Sequence, residues 1–259
     1  MSTFQTMEVF QIPALKDNYI YVLRDAATGT VAAVDPSAAE PVLKLLRSRN
    51  WPLHQILNTH HHWDHTGGNL VLKAATGCSI TGFAGDQARL PGVDHLVAEG
   101  GTVSVGSAMG TVLEVPGHTS GHVAYYFASS QSLFCGDTLF SCGCGRLFEG
   151  TAGQLWASLE KLMSLPDDTR VYCGHEYTEA NVRFALSLEP ESVILLGKQE
   201  AVKKLRAAGM ATVPSLLGDE KRLNPFLKPR DGKIMAALGL ETSGPVKVFG
   251  EMRRRKDVF

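Results

Sequence analysis

The stretch Ile56–Asn69, ILNTHHHWDHTGGN, puts four histidines and one aspartate within the six positions His60 to His65, in a chain that holds nine histidines in all. Core packing does not ask for this, since imidazoles are costly to bury without partners and neighbouring ones repel when protonated. Extended chain places residues i and i+2 on one face, so His60 and His62, at the end of a predicted strand, converge on one ion while His61 points away as a spacer. Asp64 and His65 follow at the entry to a helix, where Gly67 and Gly68 turn the chain and aim a second pair of ligands at a neighbouring position. The spacing is that of a strand end and loop, not of the helical H-E-x-x-H pattern.

Three further residues share this setting. His118 in EVPGHTSGH, Asp137 in LFCGDT and His175 in VYCGH each follow an apolar strand and lie beside a glycine, and strand ends are where layered α/β proteins place functional side chains. Together with His60, His62, Asp64 and His65 they make five imidazoles and two carboxylates, a donor mix suited to borderline divalent ions such as zinc. Seven ligands are too many for one tetrahedral ion and fit two ions sharing a carboxylate. His54 and His95 read as surface or hydrogen-bonded residues, and His122 as a buried, hydrogen-bonded one. Cys142-Gly-Cys144 is too tight for a zinc knuckle and reads as a turn with reduced thiols.

Around these residues the chain alternates strands and helices. YIYVLRD and TVAAVDP form a hairpin pair about Gly29, AAEPVLKLLRSRN a helix with Val42, Leu43 and Leu46 on one face, LHQILNTH a strand, and GGNLVLKAATG a helix closed by Gly77. Short strands follow in CSITGF, GTVSVG, GTVLEVPG, HVAYYFAS and QSLFCGD, then a helix in TAGQLWASLEKLMSLP and a last strand in TRVYCGH. Beyond His175 the pattern turns helical, with a break near Pro190 and no strand until the tail VKVFGEMRRRKDVF. A domain boundary is expected near residue 176, giving an α/β or α+β piece over 1–175 and a smaller helical piece over 176–259.

With 259 residues, 44% hydrophobic and 20% charged, the chain can bury a sizeable core. A net charge of −1 argues against a nucleic-acid partner that needs a broad basic surface. No apolar run is long enough to span a bilayer, and the first residues lack a signal-peptide pattern. Five cysteines without framework spacing fit reduced thiols, so a cytoplasmic location is expected.

These motifs carry a resemblance. THHHWDH resembles the T-H-x-H-x-D-H signature of the metallo-β-lactamase superfamily, and PGHTSGH, FCGDTLF and YCGHEY are similar to its later metal motifs, in order. DNYIY at Asp17–Tyr21, CGCGRLFEGT at Cys142–Thr151, GHEYTEAN at Gly174–Asn181, LNPFL at Leu223–Leu227 and the terminal RRRKD resemble the glyoxalase II (hydroxyacylglutathione hydrolase) family. That resemblance implies a four-layer αβ/βα sandwich, the catalytic domain, followed by a helical, substrate-binding domain. It implies a first metal on His60, His62 and His118, a second on Asp64, His65 and His175, and Asp137 bridging both. The two divalent ions are expected to be zinc, with iron or manganese also suited to these donors.

The implied reaction is hydrolysis of S-D-lactoylglutathione to glutathione and D-lactate, the second step of methylglyoxal detoxification. Two cations lower the pKa of a bridging water, held by Asp137 and Asp64, far below that of bulk water, toward roughly 7. A thiolate leaving group with a pKa of about 8.5 needs no dedicated general acid. The family's glutathione contacts map onto Arg146, Phe148, Tyr177, Arg253 and Lys256. Some members carry Lys at the position of Arg146 and Tyr at that of Phe148; Arg keeps the charge, whereas Phe148 lacks the hydroxyl. The partner is thus a small glutathione thioester, with no nucleic acid and no membrane, and the chain is expected to be a monomer. Another thioester or lactone hydrolase, a persulfide dioxygenase with one iron, a β-lactamase, a nuclease of the superfamily and a non-catalytic metal binder are the competing readings. The C-terminal motif favours the thioesterase.

Overall fold

The computed structural model describes residues 7–259. It divides into two compact units. The first runs through Glu114 and includes Gly121–Gly136; the second comprises Val115–Ser120 and Asp137–Phe259.

The first unit contains a mixed sheet of β1 (Met7–Ala14), β2 (Asn18–Asp25), β3 (Val31–Val34), β4 (Gln55–Leu57), β5 (Ser79–Phe83) and β6 (His95–Val97), in that spatial order. β1 to β3 pair antiparallel and β3 to β6 parallel. A second, antiparallel set comprises β7 (Thr102–Val105), β8 (Ala108–Glu114), β9 (Val123–Phe127) and β10 (Ser132–Gly136). β2 and β3 are buried almost throughout, which is why their sequences run as continuous apolar stretches rather than alternating.

Helix α1 (Ala39–Arg49) closes on Asn50 in the left-handed conformation and buries Val42 and Leu46, with Leu43 packed partly buried beside them. They join Ile20, Val22, Val31, Ala33, Ile56, Leu72 and Ile80 in one core. The short α2 (Trp63–Thr66) and α3 (Asn69–Thr76) follow the histidine-rich loop. The Gly67-Gly68 pair between them is sterically required: a Cβ on Gly68 would lie 2.7 Å from the carbonyl oxygen of Pro36, and one on Gly67 would lie 2.6 Å from that of Ser37. Only glycine lets the chain pass this close to the segment after β3.

The second unit holds the two-residue hairpin strands β11 (Leu139–Phe140) and β12 (Gly143–Cys144), and the antiparallel pair β13 (Arg170–Cys173) with β14 (Ser215–Leu216). Helix α4 (Ala152–Met163) starts with a capping box between Thr151 and Gln154. α5 (Thr178–Leu188), α6 (Val193–Ala207), α7 (Leu217–Leu223), α8 (Gly232–Leu238) and α9 (Pro245–Asp257) complete it.

Three expectations need correction. The sequence reading has no strand before Asn18, yet Met7–Ala14 pairs with β2 along its whole length. The tail is not a strand: Pro245 occupies the first turn of α9, and Val248, Phe249, Met252 and Arg253 are buried at helical spacing. TRVYCGH is not the last strand, since β14 lies beyond it.

Candidate metal centre

β4 ends at Leu57, so His60 and His62 lie in the loop beyond the strand rather than on it. The loop is tied down by Asp35, which ends β3 with φ 48°. Asp35 Oδ1 accepts from the Thr59 amide at 2.7 Å, and its Oδ2 accepts from Thr59 Oγ1 at 2.6 Å and from His65 Nδ1 at 3.0 Å. All three residues are buried. His60 Nδ1 lies 3.1 Å from Thr59 Oγ1.

These bonds fix the tautomers. His65 gives its Nδ1 proton to a carboxylate, so its Nε2 carries the lone pair. Thr59 spends its own proton on Asp35, so it accepts from His60 Nδ1, and His60 Nε2 also carries a lone pair. This is the orientation in which outer carboxylates present imidazoles to an ion. Asp35, His60 and His65 bring donor atoms within 4.8 Å of one another, but the Asp35 oxygens are taken by Thr59 and His65. Asp35 is therefore placed to orient the two imidazoles rather than to offer an oxygen of its own. Asp64 accepts at its backbone carbonyl (2.9 Å) and at Oδ2 (3.2 Å) from Asn18 Nδ2, and the same Oδ2 stands 3.9 Å from His65 Nε2.

His61 is set apart from its neighbours. Its Nδ1 lies 2.9 Å from Asp86 Oδ2, its Nε2 3.3 Å from Arg89 Nη1, and Arg89 in turn pairs with Asp86. His122 is fully buried and stacks on the His60 ring at 4.6 Å and 15°.

In the second unit His118, Asp137 and His175 converge. Both His118 Nε2 and His175 Nε2 lie 3.4 Å from Asp137 Oδ2. His118 Nδ1 donates to the Arg146 carbonyl at 2.9 Å, so its Nε2 presents a lone pair to the carboxylate. Two acceptors at that distance repel unless a cation lies between them. The donor set of nitrogen and carboxylate oxygen, in these tautomers, therefore fits divalent metal ions in both units.

The substrate candidates all lie in the second unit. Tyr177 stacks on His175 at 4.8 Å and 2°, and Phe148 packs edge-on against His118 at 5.2 Å. Arg146 is largely exposed and lies 3.8 Å from Asp257. Arg253 differs from a mobile basic side chain. It is 4% exposed, donates from Nη1 to the Cys144 carbonyl at 2.8 Å, and pairs through Nη2 with Asp257 at 3.0 Å. Lys256 donates to the Ala180 carbonyl at 3.0 Å and lies over the Phe184 and Phe259 rings. Burial, then the nearby Arg253, Arg183 and Arg146, lower the Lys256 ammonium to about 8, with Asp257 opposing. Arg254 and Arg255 pair with Glu251 on their own helix.

Asp35, Asn18, Thr59 and Asp86 were missed by sequence reasoning. The signals present were DNYIY, which contains Asn18, the leading Thr59 of THHHWDH, and the Asp-Pro step after β3.

The family model described as Metallo-beta-lactamase superfamily matches residues 17–175. Solved structures with this fold include the B3 metallo-beta-lactamase BLEG-1 (TM-score 0.65, 24% identity, 85% of this chain and 99% of that one). ETHE1 from Myxococcus xanthus is a second (TM-score 0.68, 24% identity, 96% and 90%), and TTHA1623 in a di-iron-bound form a third (TM-score 0.59, 26% identity, 85% and 100%). Mixed sheets with helices and a C-terminal helical region agree with that fold.

The family follows. The model described as Hydroxyacylglutathione hydrolase C-terminus matches residues 176–259. The hydroxyacylglutathione hydrolase of Rhodospirillum rubrum is 56% identical over 98% of this chain and 99% of its own. That of Methylococcus capsulatus is 55% identical over the same shares. The chain belongs to the hydroxyacylglutathione hydrolase family of the metallo-β-lactamase superfamily.

Proposed function

We propose that this chain is a metal-dependent hydrolase of the thioester bond in S-2-hydroxyacylglutathiones, S-D-lactoylglutathione above all, yielding glutathione and the 2-hydroxy acid. The observation that carries this reading is identity of 55% and more to relatives of that name over nearly the whole of both chains. In the proposed arrangement His60, His62 and His118 hold one ion, Asp64, His65 and His175 the other, and Asp137 both. Zinc is the proposed metal, and the di-iron-bound form of TTHA1623 supports a two-ion site. Bound divalent ions supply an acidified water and polarise a carbonyl.

The chain's own residues do the rest. Asp35 and Thr59 hold His60 and His65 in the tautomers that ligate. Asp137 places one oxygen beside the Nε2 atoms of His118 and His175, where a cation would be shared among them. Arg146, Arg183 and Arg253 all act on Lys256; Asp257 pairs with Arg146 and Arg253 and Glu179 with Arg183, leaving an excess of positive charge that suits the two carboxylates of glutathione. Arg253 acts from within the wall of that group, with its fork committed to Cys144 and Asp257. Arg146 and Lys256 are the cations we assign to substrate, Tyr177 and Phe148 its apolar neighbours. The family models' boundary supports domains of 1–175 and 176–259. A monomer located in the cytoplasm completes the reading. The location is supported by the five buried free thiols, which suit a reducing compartment. The test is the rate of S-D-lactoylglutathione hydrolysis by metal-free protein as zinc is added back, with a thioester lacking glutathione as control.

A further inference from the structure

The β11–β12 hairpin begins two residues after Asp137 and ends two residues before Arg146. It has almost no strand of its own to hold it. Instead, five consecutive residues each have a backbone group bonded by a buried side chain from beyond residue 180. Asn224 Nδ2 donates to the Phe140 carbonyl at 3.2 Å and to the Gly143 carbonyl at 2.9 Å. Asn181 Nδ2 donates to the Ser141 carbonyl at 3.1 Å. The Cys142 amide donates to Glu220 Oε2 at 2.7 Å, and Arg253 Nη1 donates to the Cys144 carbonyl at 2.8 Å. Glu220 and Asn224 are joined at 3.2 Å, and both are buried.

The hairpin needs this hold. Cys142 sits at φ 55°, a conformation that side-chain-bearing residues rarely keep unless their surroundings impose it. A Cβ on Gly143 would collide with the Asn181 amide, so the two surfaces meet with no slack. The other end of the hairpin is equally tight. The Gly145 amide donates to the Thr138 carbonyl at 3.2 Å, and a Cβ on Gly145 would collide with the Asp137 carbonyl and approach His118 Cβ to 3.1 Å. The Arg146 carbonyl is the acceptor that fixes His118 Nδ1.

From this chain of contacts we infer that Glu220, Asn224 and Asn181 are positioning residues for the metal site: through the hairpin they set the backbone that carries Asp137 and the acceptor that orients His118. The inference rests on the proposed ligand roles of Asp137 and His118. It gives the C-terminal helices a second task besides gripping glutathione. They shape the ligands from behind.

The test is cobalt(II) titration of metal-free protein, read by visible absorption, alongside kcat and KM for S-D-lactoylglutathione. Glu220→Met keeps the volume and removes the acceptor for the Cys142 amide. Asn181→Leu removes the donor to Ser141. Glu220→Gln keeps an acceptor oxygen and serves as the rescue. Expected are a loss of about 10- to 100-fold in cobalt affinity and a similar loss in kcat for the first two. The loss in kcat should exceed any rise in KM, because neither variant removes a cation assigned to substrate, and the Gln variant should stay near wild type. Folded Met or Leu variants with wild-type cobalt affinity and kcat would overturn the inference, as would a Gln variant as damaged as the Met one. Where Glu220→Met does not fold, Asn181→Leu decides with the same outcomes. Cobalt affinity separates this claim from the functional one. Variants that lose affinity in a protein with no thioesterase activity would sustain the positioning role and sink the substrate assignment.

Discussion

Asp35→Asn keeps the shape of a buried side chain and removes one of its two acceptor oxygens. In the structure those oxygens serve three donors: the Thr59 amide at 2.7 Å, Thr59 Oγ1 at 2.6 Å and His65 Nδ1 at 3.0 Å. An asparagine can satisfy only one side. With its oxygen toward Thr59 Oγ1 and His65, its NH2 opposes the Thr59 amide. With its oxygen toward that amide, the NH2 opposes His65 Nδ1–H, and the proton must move to Nε2, where the imidazole can no longer ligate. Leaving one buried donor unmet costs about 1–3 kcal/mol, and loss of an orienting partner costs about 10- to 100-fold in metal affinity, or about 1.4–2.7 kcal/mol. The two figures agree. Competition against a calibrated chelator, with zinc as the metal, reads the affinity directly, and kcat should fall in parallel. An Asp35→Asn protein that binds zinc within twofold of wild type at unchanged kcat would refute the tautomer argument.

Two further outcomes are expected. Lys256, lowered to about 8, is protonated below that pH and loses its charge as pH rises through it. The glutathione carboxylates stay ionised throughout, so KM should rise above about pH 8 with kcat flat, and a KM constant to pH 9.5 would remove Lys256 from substrate binding. The sign differs for stability: the folded protein disfavours charged Lys256, so that penalty is present below about 8 and relieved toward about 10.5, and alkaline loss of binding does not come from unfolding at this residue. Second, His61→Ala removes a bond to the buried Asp86. Bonds to charged groups contribute about 1.5–3 kcal/mol, which predicts a fall in Tm of about 3–10 °C by scanning calorimetry, with kcat within a few-fold. An unchanged Tm would show His61 to be the passive spacer that the sequence suggests.

The chemistry of the centre was more legible than its support. The candidate ligands stand out because histidines and aspartates beside strand-ending glycines are unusual in a core, and the second unit does bring His118, Asp137 and His175 together. Asp35 was invisible for the opposite reason. One aspartate before a proline is an ordinary turn residue, and its bonds reach partners 24 and 30 positions away, a range that no local pattern encodes. The same holds for Glu220 and Asn224, whose partners lie 78 to 84 residues upstream. Secondary structure followed this division. α1 and α4 were readable from apolar spacing and end residues. VKVF in the tail alternates like a strand, yet Pro245 and the burial of Val248, Phe249 and Met252 make it the start of a helix. Arg253 shows the limit of reading charge from sequence: the RRRKD motif marks it as a glutathione contact, and nothing in the motif signals that it is 4% exposed and bonded to the hairpin.

The most direct test of the account is hydrolysis of S-D-lactoylglutathione by chelator-stripped protein titrated with zinc. The account predicts no activity without metal, full recovery near two equivalents per chain, and little turnover of a thioester lacking glutathione at any loading. Hydrolysis that survives chelation, or that saturates at one equivalent, would contradict it.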